Sequence, residues 1–390
     1  MNAAPRRVLI IGPTPPPFHG VATFIRDLVI ESHHFPQFSF DALDTSDRRD
    51  ASNLGRWDAG NLALGFANLA EMASRLGRQR PDLVYVPISQ NVPAFLRDAL
   101  FILQARLFGA RVVLHLHGGY FREFYEKEAP SWFRMVARWT LNRAAAVAVL
   151  SAEFRPLFAG LIPEDRIRVV ENGVPDLFSE MASEPPRNVL PPTILYMSTL
   201  ARTKGFLDLI HAMPLLRRSI PDARLRQAGS APETDAWYEA AAFIAQNDLK
   251  DCVEFVGNVD GAAKRDFLRS GSVFCLPSRY PYEGQPLSIL EAMSAGLPVL
   301  STRQGAIGSM VVDGETGCLL SPGCSPEDIA EALSRMFSDR VALQAQGVAG
   351  RRRYCEKYTL ARCHQSLIEV FEDAISEPRP PGSRPFERPL

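Results

Sequence analysis

None of the six cysteines, Cys252, Cys275, Cys318, Cys324, Cys355 and Cys363, belongs to a C-x-x-C pair, which removes the usual signature of zinc ribbons and thioredoxin-like sites. All six follow residue 250, and we read them as reduced thiols of a cytoplasmic protein. Long apolar runs are lacking as well. Nothing approaches the roughly 18 residues of a membrane span, and the four-residue run in "MNAAPRRVLIIG" is too short for a signal-peptide core. Net charge is nearly absent: 43 basic residues against 44 acidic ones leave −1, so no global field draws nucleic acid or anionic lipid. Any anion must be bound locally. No convincing D-x-D metal motif occurs either. What remains is ordinary globular composition, 46% hydrophobic and 22% charged over 390 residues, enough for two cores of the usual domain size.

Short aliphatic runs alternate with helix-length segments at "RVLIIG", "LVYVPIS", "RVVLHLHG", "AVAVLS" and "RIRVVENGV". This is the pattern of parallel strands with crossover helices. After the proline-rich, polar stretch "SEMASEPPRNVLPP" (179–192) it starts again with "TILYMST", "ARLRQAGS", "VEFVGNV", "VFCLPS", "VLSTRQG" and "GCLLSP". The expected fold class is α/β, with two Rossmann-like doubly wound domains. A first domain spans residues 1–178, a linker 179–192, a second domain 193–375 and a disordered tail 376–390, whose "SEPRPPGSRPFERPL" is rich in proline and arginine. The last helix of the second domain is a candidate to pack back on the first. In open α/β sheets a ligand sits beyond the carboxyl ends of the strands, so the cleft between the domains is the expected site.

The residues after the strands carry the chemistry. "GPTPPPFHGVATF" follows the first strand with prolines where a dinucleotide cradle has glycines, yet Gly20 stands before a helix start at Val21, where free amides can meet an anion. In "HLHGGY" the period of two puts His115 and His117 on one face of a strand. His115 reads as a satisfied core residue, whereas His117, at the strand end beside Gly118 and Gly119, is placed to reach a ligand. No third residue at suitable spacing makes a metal site. "STLARTKGF" sets Arg202 and Lys204 in the loop before a helix starting near Phe206, a combination suited to a diphosphate. In "LPSRYPYEGQPLSILEAMSAGLPV", Pro286 suits a first helical turn. Glu283 then lies in the loop and Glu291 on the flank of a helix that buries Leu287, Ile289, Leu290 and Met293. Two carboxylates on either side of a helix N-terminus fit a ligand with hydroxyls at both ends and phosphates in the middle, a nucleotide sugar.

"STLARTKG", "LPSRYPYEGQPLSILEAMSAGLPV" and "DGETGCLL", with "FHG", "HGGY" and "ENGV" in order before them, resemble the retaining glycosyltransferases of family 4, which have the GT-B fold of two Rossmann-like domains facing across a cleft. The resemblance covers the chain to about residue 375. It implies that Arg202 and Lys204 neutralise the leaving diphosphate, that Glu283 binds the donor sugar's hydroxyls and that Glu291 binds the ribose. The amides of Gly284, Gln285, Pro286 and Leu287, as far as they exist, would line sugar and phosphate. Gly20 would approach the diphosphate, His117 would lie beside the transferring anomeric carbon, and Asn172 would help form the cleft near the hinge. "FHG" stands where many members carry two glycines, and Ser198 stands where many have glycine. The implied activity is metal-independent, retaining hexosyl transfer to a glycan or lipid-linked saccharide in cell-surface or exopolysaccharide assembly. The donor is a nucleotide sugar, UDP slightly ahead of GDP, with no cofactor and no nucleic acid partner.

A GT-B nucleotide-sugar epimerase and a noncatalytic sugar-nucleotide-binding protein are the competing readings. "SWFRMVARWTLNR" (131–143) interleaves aromatics with arginines, which fits a buried amphipathic helix first and a helix at a lipid interface second. Arg351, Arg352 and Arg353 read as a solvated helix end. The expected location is cytoplasmic, with peripheral contact at the inner face of the membrane as a further possibility.

Overall fold

A computed structural model describes residues 4–16, 20–46, 59–181 and 191–376. The tail beyond Ser376, most of the 179–192 segment and the Phe18 and His19 of "FHG" lie outside the described residues. The chain divides into two compact units, one comprising residues up to Val170 together with the segment from His364, the other Glu171–Cys363.

In the first unit six parallel strands, β1 (Arg6–Gly12), β2 (Phe38–Asp44), β3 (Leu83–Pro87), β4 (Arg111–Leu116), β5 (Ala146–Val149) and β6 (Ile167–Val169), form a sheet in the order β2-β1-β3-β4-β5-β6. Helices α1 (Gly20–Ile30), α2 (Ala59–Gln79), α3 (Val92–Leu107), a short α4 (Phe121–Glu123) and α5 (Ser131–Leu141) lie between the strands. Val8–Ile11, Leu83–Val86 and Val112–Leu116 are buried throughout, because helices cover both faces of a parallel sheet. The edge strand β2, "FSFDALD", is the strand absent from the sequence reading. Its alternating, half-exposed pattern lacks the continuous apolar run that marks the inner strands of this sheet, β1, β3, β4 and β5.

The second unit holds β7 (Thr193–Met197), β8 (Arg224–Ala228), β9 (Val253–Gly257), β10 (Val273–Leu276), β11 (Val299–Thr302) and β12 (Gly317–Leu320), all parallel, in the order β12-β11-β10-β7-β8-β9. Its helices are α6 (Phe206–Ser219), α7 (Thr234–Gln246), α8 (Gly261–Arg269), α9 (Leu287–Ser294), α10 (Ile307–Met310), α11 (Pro326–Ser338) and α12 (Arg340–Lys357), and α13 (Leu360–Ser376) begins in this unit and ends in the first. The strand order reverses between β7 and β10. That is the switch point at which a doubly wound sheet leaves a crevice beyond its strand ends.

The passage from the first unit to the second falls at Val170/Glu171, eight residues before the expected 178. The reason is packing: Val174 and Phe178 already belong to the second unit's core, and Val174 forms an isolated bridge with Thr359. Arg351 reinforces this segment, donating 2.8 and 2.7 Å hydrogen bonds to Asp176. Arg353 donates to the carbonyls of Met310 and Ser309. Of the three consecutive arginines only Arg352 is solvated; the other two are structural, which corrects their reading as a solvated helix end. At the other end of the chain, Leu367 and Phe371 of α13 are buried, and the Phe371 ring meets those of Phe38 and Tyr85 in the first unit.

Candidate functional site

The loops after β7 and β10 meet at the switch point of the second unit. Lys204 closes a 3-10 turn, Arg202–Lys204, and Gly205 follows at φ 80°. A Cβ at Gly205 would stand 2.3 Å from the Pro277 carbonyl oxygen, so only glycine lets the two loops approach this closely. The Arg279 amide donates to the Thr203 carbonyl at 2.8 Å and joins them. Across this contact Lys204 Nζ donates to both carboxylate oxygens of Glu283, at 2.9 and 2.8 Å. The Ser278 hydroxyl donates to Glu283 Oε2, and the ammonium lies 4.4 Å from the centre of the Tyr280 ring. Glu283 is only 5% exposed and Lys204 17%, so this is a buried ion pair with further hydrogen bonds, the form in which such a pair is tolerated. Gly305, at φ 56°, packs against the backbone of Glu283, where a Cβ would stand 2.2 Å from its carbonyl oxygen.

From Glu283 the chain runs through buried Gly284 and Gln285 to Pro286, which caps α9 instead of standing in its first turn. Ile289, Leu290 and Met293 are buried, and partly buried Leu287 packs against the same core. Glu291 falls on the flank, 15% exposed, and accepts a 2.8 Å bond from Lys264 Nζ of α8. Burial alone would lower the Lys264 pKa, but Glu291 and Asp260 outweigh it and hold the ammonium above its usual value. Asn172 grips the same loop from the start of the unit: its amide donates to Gln285 Oε1 at 2.7 Å and its Nδ2 to the Gln285 carbonyl at 2.9 Å. The clamp joins positions 113 residues apart.

Arg202 departs from its expected partnership with Lys204. Its guanidinium donates to Glu239 at 2.6 Å and Asp235 at 3.0 Å, both on α7, while its amide donates to Glu233. The two carboxylates raise its pKa, hydrogen bonding from Glu239 foremost. One cation of the loop is thus matched by Glu283 and the other by two carboxylates of α7.

In the first unit, Gly20 is the exposed first residue of α1, and a Cβ there would touch nothing. His117 is half-buried just past β4, its Nε2 3.3 Å from the Tyr85 hydroxyl, its ring 4.0 Å from that of wholly buried His115 and 4.8 Å from Phe24. The loop beyond it is tied down by Gln90, which accepts the Tyr120 amide at 2.8 Å. The 131–143 segment holds an amphipathic helix whose inner face, Phe133, Ala137, Thr140 and Leu141, is buried, but its two tryptophans are not part of that face. Trp132, Met135 and Trp139 lie on the outer face of α5, exposed by 53, 70 and 40%, with the Arg143 guanidinium carbon 3.3 Å from the centre of the Trp139 ring.

Ser278, Tyr280, Lys264 and Gly305 are contributions that sequence reasoning missed. Ser278 and Tyr280 sit inside the quoted motif and could have been asked about. Lys264 leaves no signal, because its partner lies 27 residues away on another helix.

Comparison with known proteins follows the same division. Residues 20–176 match the model "Glycosyltransferase Family 4", and residues 191–339 match "Glycosyl transferases group 1". A glycogen synthase of Mycobacterium tuberculosis is 28% identical over 256 residues, which is 64% of this chain and 59% of that protein's length. A GDP-mannose:cellobiosyl-diphosphopolyprenol alpha-mannosyltransferase of Xanthomonas oryzae is 29% identical over 282 residues, 70% of each chain. Among solved structures, Anabaena Alr3699/HepE in complex with UDP superposes with a TM-score of 0.70 at 18% identity, covering 94% of this chain and 99% of its own.

Proposed function

Since the chain belongs to glycosyltransferase family 4, with the GT-B fold, we propose that it moves a hexosyl group from a nucleotide sugar to a hydroxyl of a glycan or lipid-linked glycan with retention of anomeric configuration. The observation that carries this reading is the buried Lys204–Glu283 pair at the switch point of the second unit, which presents a cation and a hydroxyl-binding carboxylate side by side. The second unit is the donor domain and the first the acceptor domain.

Glu283 accepts hydrogen bonds from the sugar's hydroxyls with the lone pairs that Lys204 and Ser278 leave, and Glu291 accepts those of the ribose. Lys204 and Arg202 neutralise the diphosphate as the bond from the anomeric carbon to the phosphate oxygen breaks. The acceptor oxygen attacks from the face the phosphate leaves, and its proton passes to the departing phosphate oxygen. Asn172 holds Gln285, so that the 283–287 loop keeps its shape; Gly284, Gln285, Pro286 and Leu287 line sugar and phosphate. Gly20 admits the diphosphate to α1, and His117 stands beside the anomeric carbon. UDP is slightly favoured over GDP: the UDP bound to the Anabaena structure supports the first, the GDP-mannose named for the Xanthomonas enzyme the second. That enzyme's polyprenol-linked acceptor supports a lipid-linked glycan and a role in cell-surface polysaccharide assembly.

Incubation with UDP- and GDP-hexoses, with and without oligosaccharide acceptors, tests the reading by product analysis. The expected product is a new glycoside of the donor's anomeric configuration, formed only with acceptor and undiminished by excess chelator, because fixed cations take the place of a divalent ion. An epimerised nucleotide sugar, an inverted product, or loss with chelator and rescue by magnesium or manganese contradicts it.

The protein works in the cytoplasm, peripherally at the inner face of the membrane. No described helix is long and apolar enough to cross a bilayer, so contact falls to surfaces such as the outer face of α5. That helix carries no acidic residue, and Trp132, Met135 and Trp139 with Arg138 suit an anionic interface. Sedimentation with phosphatidylglycerol vesicles is expected to carry the protein down, and Trp132→Ser/Trp139→Ser to lower the bound fraction about tenfold. Equal sedimentation of both proteins would remove α5 from the contact.

A further inference from the structure

The chain leaves α1 in a 3-10 turn, Glu31–His34, that carries two adjacent histidines. Ile30 is still helical, at φ −62° and ψ −46°, so the turn continues α1 directly, and the Phe35 amide closes it by donating to the Ser32 carbonyl at 3.0 Å. Side chains three residues apart eclipse one another in a 3-10 helix. Glu31 and His34 accordingly meet, with Oε2 and Nε2 3.0 Å apart. Neighbouring residues of such a turn diverge by about 120°. The rings of His33 and His34 nevertheless converge, 4.0 Å apart between centres and tilted by 39°. The Ile30 carbonyl oxygen, 3.0 Å from His33 Nδ1, draws the His33 ring back over the turn. One ligand atom from each of Glu31, His33 and His34 thus stands within 4.8 Å of the other two, and among the described residues no other set of three carboxylates, imidazoles or thiols comes together so closely.

Two imidazoles with one carboxylate are the ligand set of zinc, nickel and copper; magnesium and calcium prefer oxygen throughout. The setting favours positive charge. The last turn of a helix leaves its carbonyl oxygens without intrahelical partners and carries the negative end of the helix dipole. The next ring inward is His364 of α13, 1% exposed, whose pKa burial foremost, and then His34, holds down to about 4. That ring is neutral and sets no charge against an ion bound outside it. His33 and His34 are themselves exposed, which gives an ion access and leaves room for water at its open positions.

We propose that Glu31, His33 and His34 bind a divalent transition-metal ion of the zinc class, with water completing its shell, and that the ion ties down the last turn of α1. It takes no part in transfer: the site lies at the end of α1 away from Gly20, and the insensitivity of transfer to chelator expected above is unaffected.

The test is calorimetric titration of the full chain, free of any affinity tag, with ZnCl2 and separately with MgCl2. One Zn2+ per chain is expected, and Mg2+ should bind far more weakly. Because both histidines are exposed, His33→Gln and His34→Gln should melt as the wild type does without metal. Each should weaken Zn2+ by at least about a hundredfold, the most that losing a mere orienting partner of a ligand costs, and Glu31→Gln should weaken it as well. Free thiols such as exposed Cys355 also take zinc, so Co2+ is the second probe. Its bound spectrum should lack intense thiolate charge-transfer bands and should disappear in the two histidine variants. Absence of Zn2+ binding, binding unchanged in the three variants, a thiolate spectrum, or Mg2+ bound as tightly as Zn2+ overturns the proposal.

Discussion

Lys204→Ala is expected to lower turnover by about 10²–10³, the scale of one electrostatic contact to a transition state, and also to destabilise the second unit. The second effect follows from the burial of Glu283, which is 5% exposed and would lose the cation while keeping the Ser278 hydroxyl as a neutral donor. Leaving one member of a buried pair uncompensated costs about 3–5 kcal/mol. Lost activity alone would therefore not separate chemistry from folding. The double variant Lys204→Ala/Glu283→Gln does: a neutral amide in place of the stranded carboxylate should restore most of the melting temperature without restoring transfer. Near-normal turnover in Lys204→Ala, or recovery of turnover together with stability in the double variant, would make Lys204 a structural cation only.

The fold was legible where burial is two-sided. Eleven runs in the sequence correspond to eleven parallel strands, and the inner ones such as β4, β7, β10 and β11 are buried along their whole length because helices on both faces leave no room for polar alternation. The same rule hid β2, whose outer edge is half-exposed, and proline-rich composition misplaced the passage between units, since residues 171–178 are already held by Thr359, Tyr358 and Arg351. In the site, the positions of Lys204 and Glu283 could be read from their strand ends. Their pairing could not, because it depends on Gly205 and Gly305 admitting backbone that the sequence does not reveal. Nor could the diversion of Arg202 to α7 be foreseen: Asp235 and Glu239 look like an ordinary acidic face until the loop after β7 is seen beside them. In α5 the sequence placed Phe133 correctly but not the two tryptophans, since a helical stripe of tryptophan and methionine has the same period whether it faces a core or the solvent.

Glu283→Gln and Glu291→Gln are expected to separate the two ends of the donor. A carboxylate accepts from two hydroxyls, whereas the amide of the same shape loses its charge and half its acceptors, about 1.5–3 kcal/mol for a charged contact. Glu283→Gln also frees Lys204 from its counter-ion, which favours a diphosphate, so the free nucleotide should bind as well as before or better. Glu291→Gln loosens Lys264 together with the ribose and has no such gain. Calorimetric titration of both variants, with the nucleoside diphosphate and with its sugar, measures this directly. The account predicts weakened nucleotide-sugar binding with nucleotide binding spared in Glu283→Gln, and both weakened in Glu291→Gln; equal losses for both ligands in both variants would contradict it and leave the two glutamates as structural partners of Lys204 and Lys264.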